Sequence, residues 1–242
     1  MAHVSMLTND GQRFTLSAEA HCPHYLGRAS YLDQQPVIDA QARALGFSET
    51  CLRYRFSGTP WPPLAFVQLV AGIGYAVRAV VASGTNQWDI FIGTTSTSGP
   101  IPSVFCFSRI SGFVAGGPAL RLRDAAGNPS FDSRQRPIRF AGILDFAAYG
   151  PNTPTGTQSL ALPSGMTRPA VSAPCPGFGQ LSAAVGAYYR VSAYRAYWML
   201  SGANLMRAMS FVGQESGLEP VPLTTGSYSQ RTTPVIETYG LP

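Results

Sequence analysis

The 242-residue sequence contains no lysine; all 17 of its basic residues are arginine. That excludes a P-loop lysine and an amine for Schiff-base chemistry. Histidine is nearly as scarce, with only His3, His21 and His24. Any histidine-based triad or zinc site would have to draw on those three. There is no G-x-S-x-G elbow, no H-E-x-x-H and no C-x-x-C. Gly72-x-Gly74 lacks the third glycine and the following helix of a dinucleotide fingerprint. The 12 acidic residues are dispersed, and no two stand out as a glycosidase pair. The expected function is therefore non-enzymatic, with no cofactor and no metal.

Charge is also sparse. Charged residues make up 12% of the chain, about half the usual share. With 45% hydrophobic and 11% aromatic residues, a disordered chain is excluded. A net charge of +5 on scattered arginines, without a basic run, argues against a groove for nucleic acid. The longest apolar stretch, Leu64 to Val77, is broken by Gln68, Gly72 and Gly74 and is too short to span a bilayer. No basic region followed by an apolar core marks a signal peptide. The expectation is a chain made in a cytoplasm and not inserted in a membrane. Absence of lysine fits a GC-rich coding genome, and it also fits interface use, where the planar guanidinium is favoured. So little charge on so large a surface suggests that partners cover part of it.

Cysteine usage carries little information. Cys22, Cys51, Cys106 and Cys175 are far apart and allow three pairings, and free buried thiols are the default in a chain of this size. His21-Cys22-Pro23-His24 groups three potential metal ligands, but no second ligand pair follows. It reads as a polar loop shaped by Pro23.

What is abundant is turn and strand chemistry: 25 glycines, 20 prolines and many β-branched and aromatic residues. Residues 12–17 alternate after the Asn9-Asp10-Gly11 turn signal. Pro36 to Leu45 is the best helix candidate, with proline at its start and Gly46 after it. Leu52, Tyr54 and Phe56 alternate with Arg53, Arg55 and Ser57, giving one apolar and one polar face. Leu64 to Val70 and Tyr75 to Ala82 read as two buried strands around a glycine turn. Gln87 to Gly93 and Ser103 to Ile110 extend what looks like an antiparallel meander. Leu120 and Leu122 then alternate with Arg121 and Arg123, the turn Asp124 to Asn128 contains Gly127, and Pro129 to Phe131 returns. Asp132-Ser133 ends this hairpin with side-chain-to-backbone bonds, and a third strand follows through Ile138, Phe140, Gly142 and Leu144.

Residues 149–178 hold six prolines, and Arg168 is their only charge. So long a stretch predicts a loop or an extended arm with a function, whose removal would leave a folded body. Ala183 to Leu200 carries Tyr188, Tyr189, Tyr194, Tyr197 and Trp198 around Arg190 and Arg195. Its aromatics favour strands, whereas its alanines allow a helix. Tyr188, Arg190, Tyr194, Arg195 and Trp198 are candidates for a recognition surface that stacks sugars or bases, although the same residue types build cores and subunit interfaces. Leu205 to Val212 reads as a strand, with an extended tail after Glu219. The predicted architecture is mainly all-β, of antiparallel β-sandwich type, with a long proline-rich loop or arm and at most one or two short helices. It divides into an N-terminal β domain over 1–148, an arm or linker over 149–178 and an aromatic-rich β region over 179–242.

The stretch from Gly117 through Ser133, with Leu120, Leu122, Gly127, Phe131, Asp132 and Ser133 at its defining positions, resembles a signature of tailed-bacteriophage tail-tip and minor tail proteins. In that family a Gly-Leu precedes a short strand, a polar turn and Phe-Asp-Ser. The early Asn-Asp-Gly turn, Tyr25-Leu26-Gly27 and Val104-Phe105-Cys106-Phe107 follow in a similar order. Pro118-Ala119 departs from the family pattern, and the last hundred residues match nothing in it. The resemblance implies a virion structural protein at the tail tip, baseplate or fibre attachment, assembled in the bacterial cytoplasm and contacting other tail, baseplate or fibre proteins. It implies no catalytic residues. Tail symmetry implies a homo-oligomer, a trimer before a hexamer. A receptor- or carbohydrate-binding module for host adsorption is the alternative.

Overall fold

The β-branched and aromatic residues and the glycine and proline turns of this sequence build strands throughout the described residues. The computed structural model describes residues 3–7, 13–17, 21–37, 49–146, 157–172, 178–185, 188–217 and 231–242, and every regular element among them is a β-strand. In chain order these are β1 (His3–Leu7), β2 (Arg13–Ser17), β3 (His24–Arg28), β4 (Ser30–Val37), β5 (Glu49–Ser57), β6 (Leu64–Gln68), β7 (Gly74–Gly84), β8 (Gln87–Thr94) and β9 (Val104–Ser108). There follow β10 (Arg121–Arg123), β11 (Pro129–Asp132), β12 (Phe140–Phe146), β13 (Thr157–Ala161), β14 (Pro169–Val171), β15 (Phe178–Val185), β16 (Tyr188–Ser201), β17 (Asn204–Gly217) and β18 (Arg231–Glu237).

Two large antiparallel sheets hold most of them. One has six strands in the order β12-β18-β14-β6-β9-β3; the other runs β13-β17-β16-β7-β8-β5-β4, with β15 added on β16. Strand pairs β1-β2 and β10-β11 stand apart as two-stranded sheets. The inner faces of the large sheets meet in one core. Leu52, Tyr54, Ile90, Ile92 and Trp198 come from the larger sheet, and Ala65, Val67, Val104, Phe146 and Val235 from the smaller. Phe146 and Trp198, whose ring centroids lie 4.9 Å apart, join the two layers directly. Burying each such side chain contributes roughly 1.5–3 kcal/mol. This is a sandwich-like arrangement. A second, smaller cluster (Phe66, Phe105, Phe107, Ala170 and Ile236) lies on the outer face of the six-stranded sheet. Tyr25, Ile138 and Leu241 pack onto it.

Several expectations change. The helix expected from Pro36 to Leu45 begins inside a strand: Pro36 pairs with Thr50 in β4, and residues 38–48 lie outside the described residues. Among the described residues β4 pairs only with β5, at the end of the sheet, where a residue without an N–H costs least. The expected meander is split. The chain crosses from β5 to β6 in the other sheet, returns at β7, and crosses again between β8 and β9. Local alternation reports which face a residue occupies but not which sheet its strand joins. The strand after the hairpin, β12, pairs with β18 and not with the hairpin. Within the stretch expected to be an arm, residues 157–172 carry two sheet strands. One of them, β14, sits between β18 and β6 with all three residues buried. Residues 149–156 and 173–177 lie outside the described residues. The 183–200 stretch, ambiguous between helix and strand, is strand in β15 and β16.

Candidate functional site: the hairpin, its anchor and an arginine-lined cleft

The hairpin read from the sequence forms, and its defining residues lie together. Leu122 pairs with Phe131 and Arg121 with Asp132. Asp124 shapes the turn: its carboxylate accepts the backbone N–H of Asn128 (2.8 Å) and the Asn128 amide (3.1 Å). Gly127 takes φ +83°, a conformation that L side chains rarely adopt. Leu120 and Leu122 are half-buried while Arg121 and Arg123 are exposed, as their alternation predicts. Both guanidiniums lie near the Phe113 ring, 5.5 Å from its centroid for Arg121 and 4.7 Å for Arg123. Ser133 accepts the Leu120 N–H at its hydroxyl (3.0 Å) and donates its own N–H to the Leu120 carbonyl (2.9 Å). Gly117, with φ +55°, lies in the exposed lead-in beside Arg134.

Asp132 anchors this unit to the body. Fully buried, it accepts the N–H groups of Val114 (2.9 Å) and Arg134 (2.9 Å). Burial alone would raise its carboxyl pKa, but these N–H donors and the nearby Arg121 and Arg134 hold it below the ordinary range. The His21-Cys22-Pro23-His24 segment lies against the same place. His24 is buried, donates from Nδ1 to the Cys22 carbonyl (2.7 Å) and accepts a long bond from the Asp132 N–H at Nε2 (3.4 Å). Its ring packs on Phe131, with centroids 5.4 Å apart. Burial lowers its pKa, although the bond to the Cys22 carbonyl and the nearby Asp132 charge oppose the shift. His21 Nε2 lies 3.4 Å from the Asp124 carboxylate. No group of three metal-ligating side chains converges among the described residues. Cys22 and Cys106 are free thiols, and burial pushes Cys106 up to about 12.

Three of the five candidate recognition residues, Tyr194, Arg195 and Trp198, have described side chains. Trp198 is 0% exposed and lies in the core, Arg195 is buried, and Tyr194 is half-buried. A ring with no exposed face cannot stack on a ligand. Trp198 faces the core between the sheets, and the two-residue period turns Arg195 to the opposite face of β16. Tyr188 and Arg190 fall within β16, and their side chains lie outside the described residues.

Sequence reasoning missed two other arrangements. On the outer face of the eight-stranded sheet Arg78 grips Glu49, with Nε 2.9 Å from Oε2 and Nη2 2.9 Å from Oε1. Tyr197 donates its hydroxyl to Glu49 at 2.7 Å, and the Arg78 guanidinium lies 4.7 Å from the Tyr197 ring centroid. Beside this trio runs a ladder. Asp33 meets Arg53 at 3.0 Å, Asp89 lies 3.7 Å from Arg53, and Arg55 meets Asp89 at 2.8 Å. The polar positions of β5 announced the arginines, but their partners come from other strands and only register brings them together.

The second arrangement is a cleft of about 360 Å³ on the outer face of the six-stranded sheet, over Phe107 and Ile236. Arg134, Arg136 and Arg139 line it, with Tyr239 and Glu237. Burial would raise the Glu237 pKa, but the N–H groups of Tyr239, Thr167 and Arg168 lower it. The signal was present as three arginines within residues 134–139, and a reading that treats the arginines as scattered passes over it.

Searches against protein-family models, curated proteins and solved structures find no match to this chain.

Proposed function

We propose that the protein is a structural subunit of a tailed-bacteriophage tail tip, baseplate or fibre attachment, acting through contacts between chains and not through bond-making. The observation that carries this reading is the hairpin itself. The residues that resemble the tail-protein signature fold into a separate two-stranded sheet that pairs with neither large sheet. Its turn is exposed from Ala125 to Asn128, and its base is locked by Asp132. A stiff exposed element on a rigid body suits docking, because little order is lost when it binds. The partners are other tail, baseplate or fibre proteins. The expected assembly is a homo-oligomer, a trimer before a hexamer, formed in the bacterial cytoplasm and carried in the virion.

The test is co-expression with the products of the adjacent genes, followed by affinity purification and electron microscopy. The expected result is a defined complex containing this chain, lost in a Leu122→Asp variant that keeps the wild-type melting temperature. A complex that survives hairpin disruption, or a chain that stays monomeric with every neighbour, would overturn the reading.

A further inference from the structure

The cleft over Phe107 and Ile236 has a charge pattern that its own surroundings do not satisfy. Three arginines, Arg134, Arg136 and Arg139, line it. Glu237, its one carboxylate among the described residues, already accepts backbone N–H groups with both oxygens. Arg134 and Arg136 each donate one Nη1 bond to a backbone carbonyl, of Ala115 and Gly240, and neither forms an ion pair with any described residue. Arg139 is exposed and forms no ion pair with any described residue. Tyr239 is 74% exposed. Arg168 lies 5.9 Å from its ring centroid. The volume falls within the usual span of small-ligand pockets, about 300–1,000 Å³.

We infer that this cleft binds a small acidic saccharide, its carboxylate or phosphate held by Arg134, Arg136 and Arg139 and its sugar ring laid on Tyr239. Guanidinium forks match both oxyanions, often with two parallel bonds. The ring requirement separates a sugar from a nucleotide. Phe107 and Ile236 are only 2% and 1% exposed, so the floor offers no apolar slot to sandwich a base. A single exposed tyrosine is enough for the C–H face of a pyranose. A concave site of this volume also differs from the flat interface that a folded acidic protein needs, about 800 Å² on each side. The inference stands on the cleft alone and is independent of the assembly reading.

Calorimetric titration of the full chain with tri-galacturonate, galactotriose, glucose 6-phosphate, inorganic phosphate, AMP and an oligo-glutamate peptide tests it. The expected result is saturable binding of tri-galacturonate, glucose 6-phosphate or both, and none of galactotriose. Binding should weaken with added salt, as expected for exposed charges. Arg139→Glu and Tyr239→Ala, both at exposed positions, should each lower affinity about tenfold with the melting temperature kept. Which acidic sugar binds more tightly identifies carboxylate or phosphate as the preferred group. The inference is overturned if neither acidic sugar saturates at about 10 mM. It is also overturned if galactotriose binds equally, if both variants bind like wild type, or if phosphate, AMP or the peptide binds more tightly than the sugars.

Discussion

On the outer face of the eight-stranded sheet three guanidiniums, Arg53, Arg55 and Arg78, meet three carboxylates, Asp33, Asp89 and Glu49. On the outer face of the six-stranded sheet three arginines line a cleft whose one carboxylate among the described residues accepts backbone N–H groups. Both faces belong to the same body and use the same cation. A charge matched within the chain is a structural element, because removing one partner strands the other in a poorly solvated place. A charge left unmatched at a concave surface is free to meet something from outside. The contrast also separates two sources of strain tolerance. Next to the closed pair stands Gly93: a Cβ there would collide with Glu49 Oε1 and lie 2.7 Å from Arg78 Nε, so the pair would have to shift. Nothing in the cleft is built so tightly around its arginines.

The largest effect is expected where the pairing is closed and buried. Arg78→Met removes the cation and leaves Glu49, 7% exposed, with only the Tyr197 hydroxyl among the partners described above. Breaking a buried pair in this way costs about 3–5 kcal/mol, read from urea or guanidinium unfolding. Gly93→Ala should be destabilising by a similar route, since its methyl group must displace the Glu49 carboxylate. Replacing both members by apolar residues, as in Arg78→Met with Glu49→Leu, should restore much of the loss. If the single and double variants are equally unstable, the pair is not the source of the cost.

An intermediate effect, and one of a different kind, is expected at the hairpin anchor. Arginine holds its proton at any ordinary pH, so the ladder on the eight-stranded sheet does not respond between pH 5 and 8 through its cations. His24 does respond. Burial lowers its pKa in the folded chain below the unfolded value of about 6.5. The unfolded chain therefore takes up the proton first as pH falls. The stability that neutral His24 provides is complete above about 6.5 and is lost progressively down through the folded pKa. Asp132 acts in the same direction at lower pH: its depressed pKa contributes stability that is present above the ordinary aspartate range and lost on acidification through the folded value. Unfolding free energy should thus fall from pH 7 to pH 5. His24→Asn should flatten that interval while leaving the steeper decline below pH 4. An unchanged slope in the variant would place the acid sensitivity elsewhere.

These elements differ in how far the sequence discloses them. Strand positions were legible wherever one face is apolar, as at Leu52, Tyr54 and Phe56, because a two-residue period is a local property. The hairpin from Arg121 to Asp132 was legible for the same reason, with Asp124 and Gly127 supplying the turn chemistry. Sheet membership was not, because it depends on crossovers between layers. Proline misled twice. At Pro36 it signals a helix start and instead lies in β4, at the end of the sheet. In residues 149–178 it signals an arm, yet Pro169 opens β14 in the middle of a sheet. Proline at the first residue of a strand removes a donor at the least cost, so the composition was compatible with both outcomes. Trp198 was legible as an anchor but not as a buried one, since aromatic-plus-arginine composition is shared by cores, interfaces and ligand platforms. The cleft required Tyr239 to meet residues 134–139 across a hundred positions, and nothing local announces that meeting.

The smallest stability effect is expected in the cleft, and that smallness is what gives the comparison its content. Arg139 is exposed and has no ion pair with any described residue, so Arg139→Glu should change unfolding free energy by no more than about 0.5 kcal/mol. Its sign is also constrained. Arg134 and Arg136 line the same cleft, and removing a third like charge relieves repulsion instead of breaking a contact. Any change at low ionic strength should therefore be a slight gain, and it should fade as salt is raised toward 1 M, where exposed charges are screened within about 3 Å. Melting curves of wild type and variant at low and high salt make the measurement. A substantial loss of stability, persisting in high salt, would mean that Arg139 is held by a contact within the fold. It would then belong with Arg78 as a structural charge, and the distinction between the two faces would fail.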